Sequence, residues 1–141
     1  MILDIDVGNS FVKWRAVTEL GSTQRGSQST PSVVREGLDL SVIDAVTYAR
    51  LSSVGDVSII EILRQQIANT FHIELRMAVV SRYAGGVQCG YRRKEELGID
   101  RWLAVVSAYS KFKRSLIVAD LGSAITLDVV NDDGQHLGGY I

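Results

Sequence analysis

The sequence predicts a mixed α/β fold, and three observations carry that prediction. Short apolar runs with period-two alternation are interleaved with two long segments of helical periodicity. Strands come first, followed by helix and strand in alternation. A strand that ends on aspartate and runs into a glycine-containing turn occurs twice. The first copy is Ile2-Leu3-Asp4-Ile5-Asp6 followed by Val7-Gly8-Asn9-Ser10. The second is Ser115-Leu116-Ile117-Val118-Ala119 followed by Asp120-Leu121-Gly122-Ser123.

Taken in order, a strand over 2–6 turns into a return strand over 11–17, and Glu19-Leu20-Gly21-Ser22 turns again. Thr23 to Ser29 is polar and fits an edge strand. Thr30-Pro31 has the form of an N-cap and a first-position proline. The short helix it opens would turn Val34 and Leu38 inward and is interrupted by Gly37. Val42 to Arg50 reads as a strand. Ser58-x-x-Glu61 has the capping-box form, and the helix after it places Ile60, Leu63, Ile67 and Phe71 on one face. A strand over 73–80 and a loop over 81–90 follow, loosest at Gly85-Gly86. From Asp100 a helix carries Trp102, Val105, Val106, Tyr109 and Phe112 inward, with Lys111, Lys113 and Arg114 suited to its C-terminal dipole. The apolar run 115–119 reads as a buried strand. A strand over 125–130, a turn at Asp132-Asp133-Gly134 and a return over 135–141 complete the chain.

Length and composition narrow the class. At 141 residues the chain suits one domain. Hydrophobic residues at 46% against 22% charged indicate a globular chain. A net charge of −1 offers no basic stripe for nucleic acid and no pull towards a membrane surface. The single cysteine, Cys89, excludes an internal disulfide and suits a reducing compartment. No apolar stretch is long enough to span a bilayer. The N-terminus enters a strand containing Asp4 and Asp6, which is no signal peptide. A soluble cytoplasmic protein is expected. The chain stops inside an apolar strand, which reads as a cut.

The paired loops suggest two elements facing one anionic ligand. Glycine lets backbone N–H groups approach phosphate oxygens. A neighbouring hydroxyl or amide donates once more, and a strand-end carboxylate can hold Mg²⁺ through water. Lys13 could reach the phosphates as a point charge. Either loop alone is equally ordinary hairpin chemistry. Asp100 has two readings as well. It is an N-cap for the helix, or it is a base for an attacking hydroxyl, with Arg101 fixing an anionic substrate group. Tyr91 closes a pocket or simply packs. His72 and His136 lack metal-ligand spacing, Cys89 has no base nearby, and Arg92-Arg93-Lys94 before Glu95-Glu96 reads as a solvated face.

Asp6-Val7-Gly8-Asn9-Ser10, Gly98-Ile99-Asp100-Arg101-Trp102 and Asp120-Leu121-Gly122-Ser123-Ala124 stand in the order and approximate spacing of type III pantothenate kinases, also called Bvg accessory factor proteins. Gly138-Gly139-Tyr140-Ile141 resembles the family's lead into its second domain. The resemblance covers the whole chain. It implies the actin/Hsp70/sugar-kinase superfamily, with a ribonuclease-H-like mixed sheet flanked by helices, and makes 1–141 the N-terminal domain with the second domain absent. The implied activity is ATP-dependent phosphorylation of pantothenate to 4'-phosphopantothenate, the first step of coenzyme A biosynthesis. Mg²⁺ and a monovalent cation, K⁺ or NH₄⁺, are implied cofactors, and a homodimer is the implied assembly.

By position, Asp6, Val7, Gly8, Asn9, Ser10, Phe11, Val12 and Lys13 resemble the first phosphate loop, with Asp6 near Mg²⁺. Asp100 resembles the proton acceptor. Tyr91, Gly98, Ile99 and Arg101 resemble substrate contacts. Asp120 resembles the monovalent-cation ligand, and Ser123 the second phosphate contact, where the family usually has threonine. Because the family has two domains, the stretch alone is expected to be nearly inactive. Two alternatives stand beside this reading. Another kinase or ATPase of the superfamily fits Gly-x-Asp-Arg-Trp less well. An accessory transcriptional regulator would lack a helix-turn-helix signature and a basic stripe.

Overall fold

The computed structural model describes every residue except Ser22, Asp56 and Ser123. The chain divides into two compact units, Met1–Ala78 and Val79–Ile141, and each is described by itself. Both are mixed α/β, with sheets flanked by helices, as expected.

Among the described residues of the first unit, the strands are β1 (Ile2–Val7), β2 (Phe11–Val17), β3 (Thr23–Ser29), β4 (Tyr48–Ser53) and β5 (Leu75–Met77), in the sheet order β3-β2-β1-β4-β5. β1 pairs antiparallel with β2 and parallel with β4. The parallel pair needs a crossover, supplied by α1 (Thr30–Glu36) and the segment 37–47. Strand alternation sorts the two faces. Leu3, Ile5, Val7, Val12, Ala16, Ala49 and Leu51 are buried in the core with Val33 of α1 and Ile59, Leu63 and Ile67 of α2 (Val57–Phe71). Asp4, Asp6, Lys13, Arg15, Arg50 and Ser52 share the other face.

Several boundaries move from the sequence expectation. Residues 42–47 are not strand. Leu38, Leu40, Ile43 and Val46 enter the core without sheet pairing, and the amide of Gln66 bonds both the N–H and the carbonyl of Leu38, at 2.9 and 2.7 Å. β4 instead begins at Tyr48, opposite Ile2. The strand expected over 73–80 shortens to β5, because pairing covers only Ala49–Leu51. α1 begins at Thr30, one residue early, so Val33 faces inward and Val34 is exposed. Gly37 ends this helix at a φ of 79° instead of interrupting it. Ser58 lies inside α2 and so is not its N-cap. Ile59 joins Leu63 and Ile67 as fully buried, while Ile60 and Phe71 pack partly buried against the same core.

In the second unit, residues expected as a loop contain a hairpin, β6 (Tyr83–Ala84) and β7 (Val87–Gln88). Gly85 and Gly86 turn it with φ of 57° and 90°, the conformation that two-residue hairpins favour. A 3₁₀ turn at Lys94–Glu96 leads to α3 (Ile99–Phe112). Lys113 ends α3 in the left-handed conformation, its N–H bonded to Tyr109 O. β8 (Leu116–Leu121), β9 (Ile125–Val130) and β10 (His136–Tyr140) form an antiparallel sheet. Trp102, Val105 and Tyr109 of α3 are buried, whereas Phe112 is exposed because the helix ends there. The 115–119 run is not the buried strand expected: Leu116 and Val118 are half-buried and Ile117 is exposed, as are Leu121, Ile125, Leu127 and Leu137 around it. Its apolarity marks two faces, and within this unit no described element covers the outer one.

Candidate functional site

The first loop is built by the antiparallel turn between β1 and β2. Gly8 N–H donates to Phe11 O at 3.0 Å and closes the turn. A Cβ on Gly8 would approach the same oxygen at 3.2 Å, so the turn favours glycine. Thr30, expected to cap α1, ties the helix to this loop. Its Oγ1 donates to Gly8 O at 3.1 Å and its N–H to Ser10 O at 3.0 Å. The side chains of Val7 and Val12 are core, so these residues offer only backbone to a ligand. Asn9, Ser10, Phe11 and Lys13 are exposed.

Asp6 stands exposed at the end of β1, opposite Lys13 on β2 and Ser52 on β4. Ser52 Oγ donates to Asp6 Oδ1 at 2.8 Å. Among the described residues no ion pair joins Asp6 to Lys13. Both line an open groove of about 370 Å³ with Asp4, Arg15, Arg25 and Ser52. Asp4 is held from both sides, by Arg15 at 2.7 Å and Arg50 Nε at 2.7 Å. Ser52 was invisible as a partner of Asp6 because a parallel register is not readable from one sequence.

The second unit carries Tyr91, Gly98, Ile99, Asp100, Arg101 and Asp120. Gly98 precedes α3, and Ile99 is buried beneath it. Asp100 is in the first turn, partly exposed, and its Oδ1 accepts the Arg101 N–H at 2.8 Å. It therefore acts on the helix start without being the N-cap, which is Gly98. A Cβ on Gly98 would collide with the Asp100 carboxylate.

Arg101 is 6% exposed. Its Nε and Nη2 donate to Asp128 Oδ2 and Oδ1 at 2.8 and 2.7 Å, and Nη2 also reaches the Tyr91 hydroxyl at 3.3 Å. His136 places Nε2 at 2.8 Å from Asp128 Oδ1. The Tyr91 ring stacks on His136 at 5.8 Å, and Arg82 donates to the carbonyls of Tyr91 and Arg92 at 2.8 and 2.6 Å. The hydrogen bond to Asp128 raises the Arg101 pKa most, while burial works against it; the net shift is upward. Burial pushes the Asp128 carboxyl up, but hydrogen bonds from Arg101 and His136, with their charges, overturn this and hold it below 3.8.

Asp120 ends β8, exposed, and faces Thr126 across the strand pair. The register puts it on the same sheet face as Asp128. Among the described residues no hydrogen bond or ion pair joins Asp120 to Asp100 or Arg101. The turn beyond it is closed by Gly122 N–H on Ala124 O at 3.0 Å. Ser123 lies outside the described residues. The sequence reading missed Asp128 and set His136 aside for want of a metal-ligand spacing. The available signal was parity, since Asp128 alternates in phase with buried Val130, and an acid on a buried face requires a partner.

Comparison with known proteins adds the following. A family model described as "Type III pantothenate kinase" matches residues 2–141. The chain is 40% identical over 143 residues to a type III pantothenate kinase of Pseudomonas syringae pv. syringae. It is 38% identical to that of Ectopseudomonas mendocina over 143 residues and 39% to that of Chromohalobacter salexigens over 149. Each match covers 100% of this chain, but 57% of the first two relatives and 50% of the third. The chain thus spans about half the length of the curated relatives it matches. Among solved structures, a putative sugar kinase from Cytophaga hutchinsonii aligns with a TM-score of 0.46 at 20% identity, covering 96% of this chain and 49% of that one.

Proposed function

We propose a function on one premise: this chain belongs to the type III pantothenate kinase family. The parent protein transfers the γ-phosphoryl group of ATP to the primary hydroxyl of pantothenate. The products are 4'-phosphopantothenate and ADP, and the reaction opens coenzyme A biosynthesis. Residues 1–141 are its N-terminal ribonuclease-H-like domain. The observation that carries this reading is Asp100, a partly exposed carboxylate in the first turn of α3, with Arg101 directly behind it.

In the proposed reaction the pantothenate hydroxyl oxygen forms the new bond to phosphorus, and the bond to the ADP oxygen breaks. Asp100 accepts the hydroxyl proton. Tyr91, Gly98, Ile99 and Arg101 bound the pantothenate side. The Asp6–Lys13 turn offers backbone N–H groups, the Asn9 amide and the Ser10 hydroxyl to the phosphates, and Lys13 supplies a point charge. Ser123 is the second phosphate contact. Phosphoryl transfer depends mainly on such positioning and charge stabilisation.

The residues fit the implied cations. Mg²⁺ is commonly held through one or two carboxylates, water and substrate phosphates. Asp6, exposed and bonded through one oxygen to Ser52, is such a carboxylate. Mg²⁺ there would neutralise phosphate charge. The exposed carboxylate of Asp120 would hold K⁺ or NH₄⁺. The reading also includes a homodimer in the cytoplasm, on family resemblance; among the described residues no helix is long and apolar enough to cross a membrane. The chain spans about half the length of the relatives it matches, and this stretch alone is proposed to turn over little.

The test is ATP-dependent phosphorylation of pantothenate by the full-length parent, with and without K⁺, beside its Asp100→Asn variant. Activity that needs K⁺ and collapses in the variant is expected. An inert parent under every cation would overturn the reading.

A further inference from the structure

We propose that Asp128 and His136 are positioning residues that fix Arg101 and Tyr91 and, through Arg101, the first turn of α3 that carries Asp100. The roles given to Asp100, Arg101 and Tyr91 rest on the kinase reading; the positioning itself rests on the geometry.

Four side chains form one chain of contacts. His136 bonds the Asp128 carboxylate at 2.8 Å, and that carboxylate takes both Nε and Nη2 of Arg101. Arg101 reaches the Tyr91 hydroxyl, and the Tyr91 ring returns to stack on His136, 16° from parallel. The bidentate pair fixes the guanidinium in a plane as well as in place. Arg101 follows Asp100 in the helix, so anchoring its side chain to β9 fixes the rotation of that turn about its axis. His136 touches both ends of the network. Its Nδ1 is buried and has no hydrogen-bond partner among the described residues. A relay needs a partner on each nitrogen; this ring has one bond and one stack, which is the equipment of a spacer.

The backbone around the network is shaped for it. A Cβ on Gly139 would collide with Leu127 O, the Asp128 carboxylate and Arg101 Nη2. A Cβ on Gly90, next to Tyr91, would collide with the His136 carbonyl. The shift in pairing between His136 and Gly138 changes the β10 register beside the histidine. These glycines, on separate segments, allow backbone to close over the network.

The test uses the full-length parent. His136→Phe keeps a ring beneath Tyr91 and removes the donor to Asp128. His136→Gln keeps a donor and removes the stack. In His136→Phe the pantothenate KM is expected to rise about 10- to 100-fold, with the ATP KM unchanged. His136→Gln should recover part of that loss. A purely structural histidine would lower the melting temperature and move neither KM in the folded protein. Nitrogen-15 NMR of the Arg101 Nε–H gives a readout independent of turnover: a sharp, slowly exchanging signal in the parent that broadens in His136→Phe. Should His136→Phe fail to fold, His136→Gln, which removes the stack on Tyr91, is read against the parent by the same KM and the same Arg101 signal. An unchanged pantothenate KM together with an unchanged Arg101 signal would overturn the inference. A parent inert towards pantothenate overturns the kinase reading instead, and the Arg101 signal alone then decides the positioning.

Discussion

Arg101 and Asp128, 27 positions apart in sequence, meet through two hydrogen bonds of 2.8 and 2.7 Å while 6% and 2% exposed. Removing one partner leaves the other charge buried and unpaired. Asp128→Asn is therefore expected to destabilise the protein by about 3–5 kcal/mol. Replacing both, Arg101→Met with Asp128→Leu, should cost much less, because neither charge then stays behind. Urea unfolding of Arg101→Met, Asp128→Leu and the double variant closes the cycle; additive losses would contradict the coupling.

The same pair sets a pH dependence. The folded Asp128 carboxyl lies below its ordinary 3.8, so its contribution is complete above that value and is lost as pH falls through the lower folded one. Asp39 and Asp132 are also lowered, by hydrogen bonds from Ser41 and Ser115, and carry the same sign. The urea midpoint should thus fall as pH drops below about 4. In Asp128→Asn the fall should be shallower without vanishing. An identical acid limb in the two proteins would refute the assignment.

Gly139 tests how tightly the network is enclosed. Gly139→Ala drives a methyl group against a backbone carbonyl and both members of the ion pair. A loss of about 1–3 kcal/mol is expected. Thermal unfolding checks it, with Gly122→Ala as the comparison, whose nearest obstacle is Ala124 O at 3.8 Å. Equal losses at the two sites would count against the close approach.

The core of the first unit makes its own prediction. Leu51 is fully buried on β4 and Leu20 is 97% exposed in a turn. Leu51→Ala should cost about 2–5 kcal/mol through lost burial and the cavity left behind. Leu20→Ala should lie within about 0.5 kcal/mol of the parent. Chemical denaturation of both variants measures the contrast.

The sequence by itself determined the α/β class, the first three strands, both long helices and the two Asp–Gly turns. Those features are local: period-two and period-3.6 patterns, and glycines that permit tight turns, need no distant partner to be read. It also determined the family, through three motifs held in order. Tertiary structure alone decided that Ile43 and Val46 enter the core outside any strand, with Ile43 N–H turned back onto Leu40 O and Thr47 N–H on Met1 O. It decided that Ser52 is the partner of Asp6, since a parallel register is set by packing across the sheet. It also brought Asp128 and His136 to Arg101 and Tyr91. No spacing announces that network, because its members lie on a helix, two strands and a loop. Their common requirement, that a buried charge find its opposite, is met only when the chain has folded.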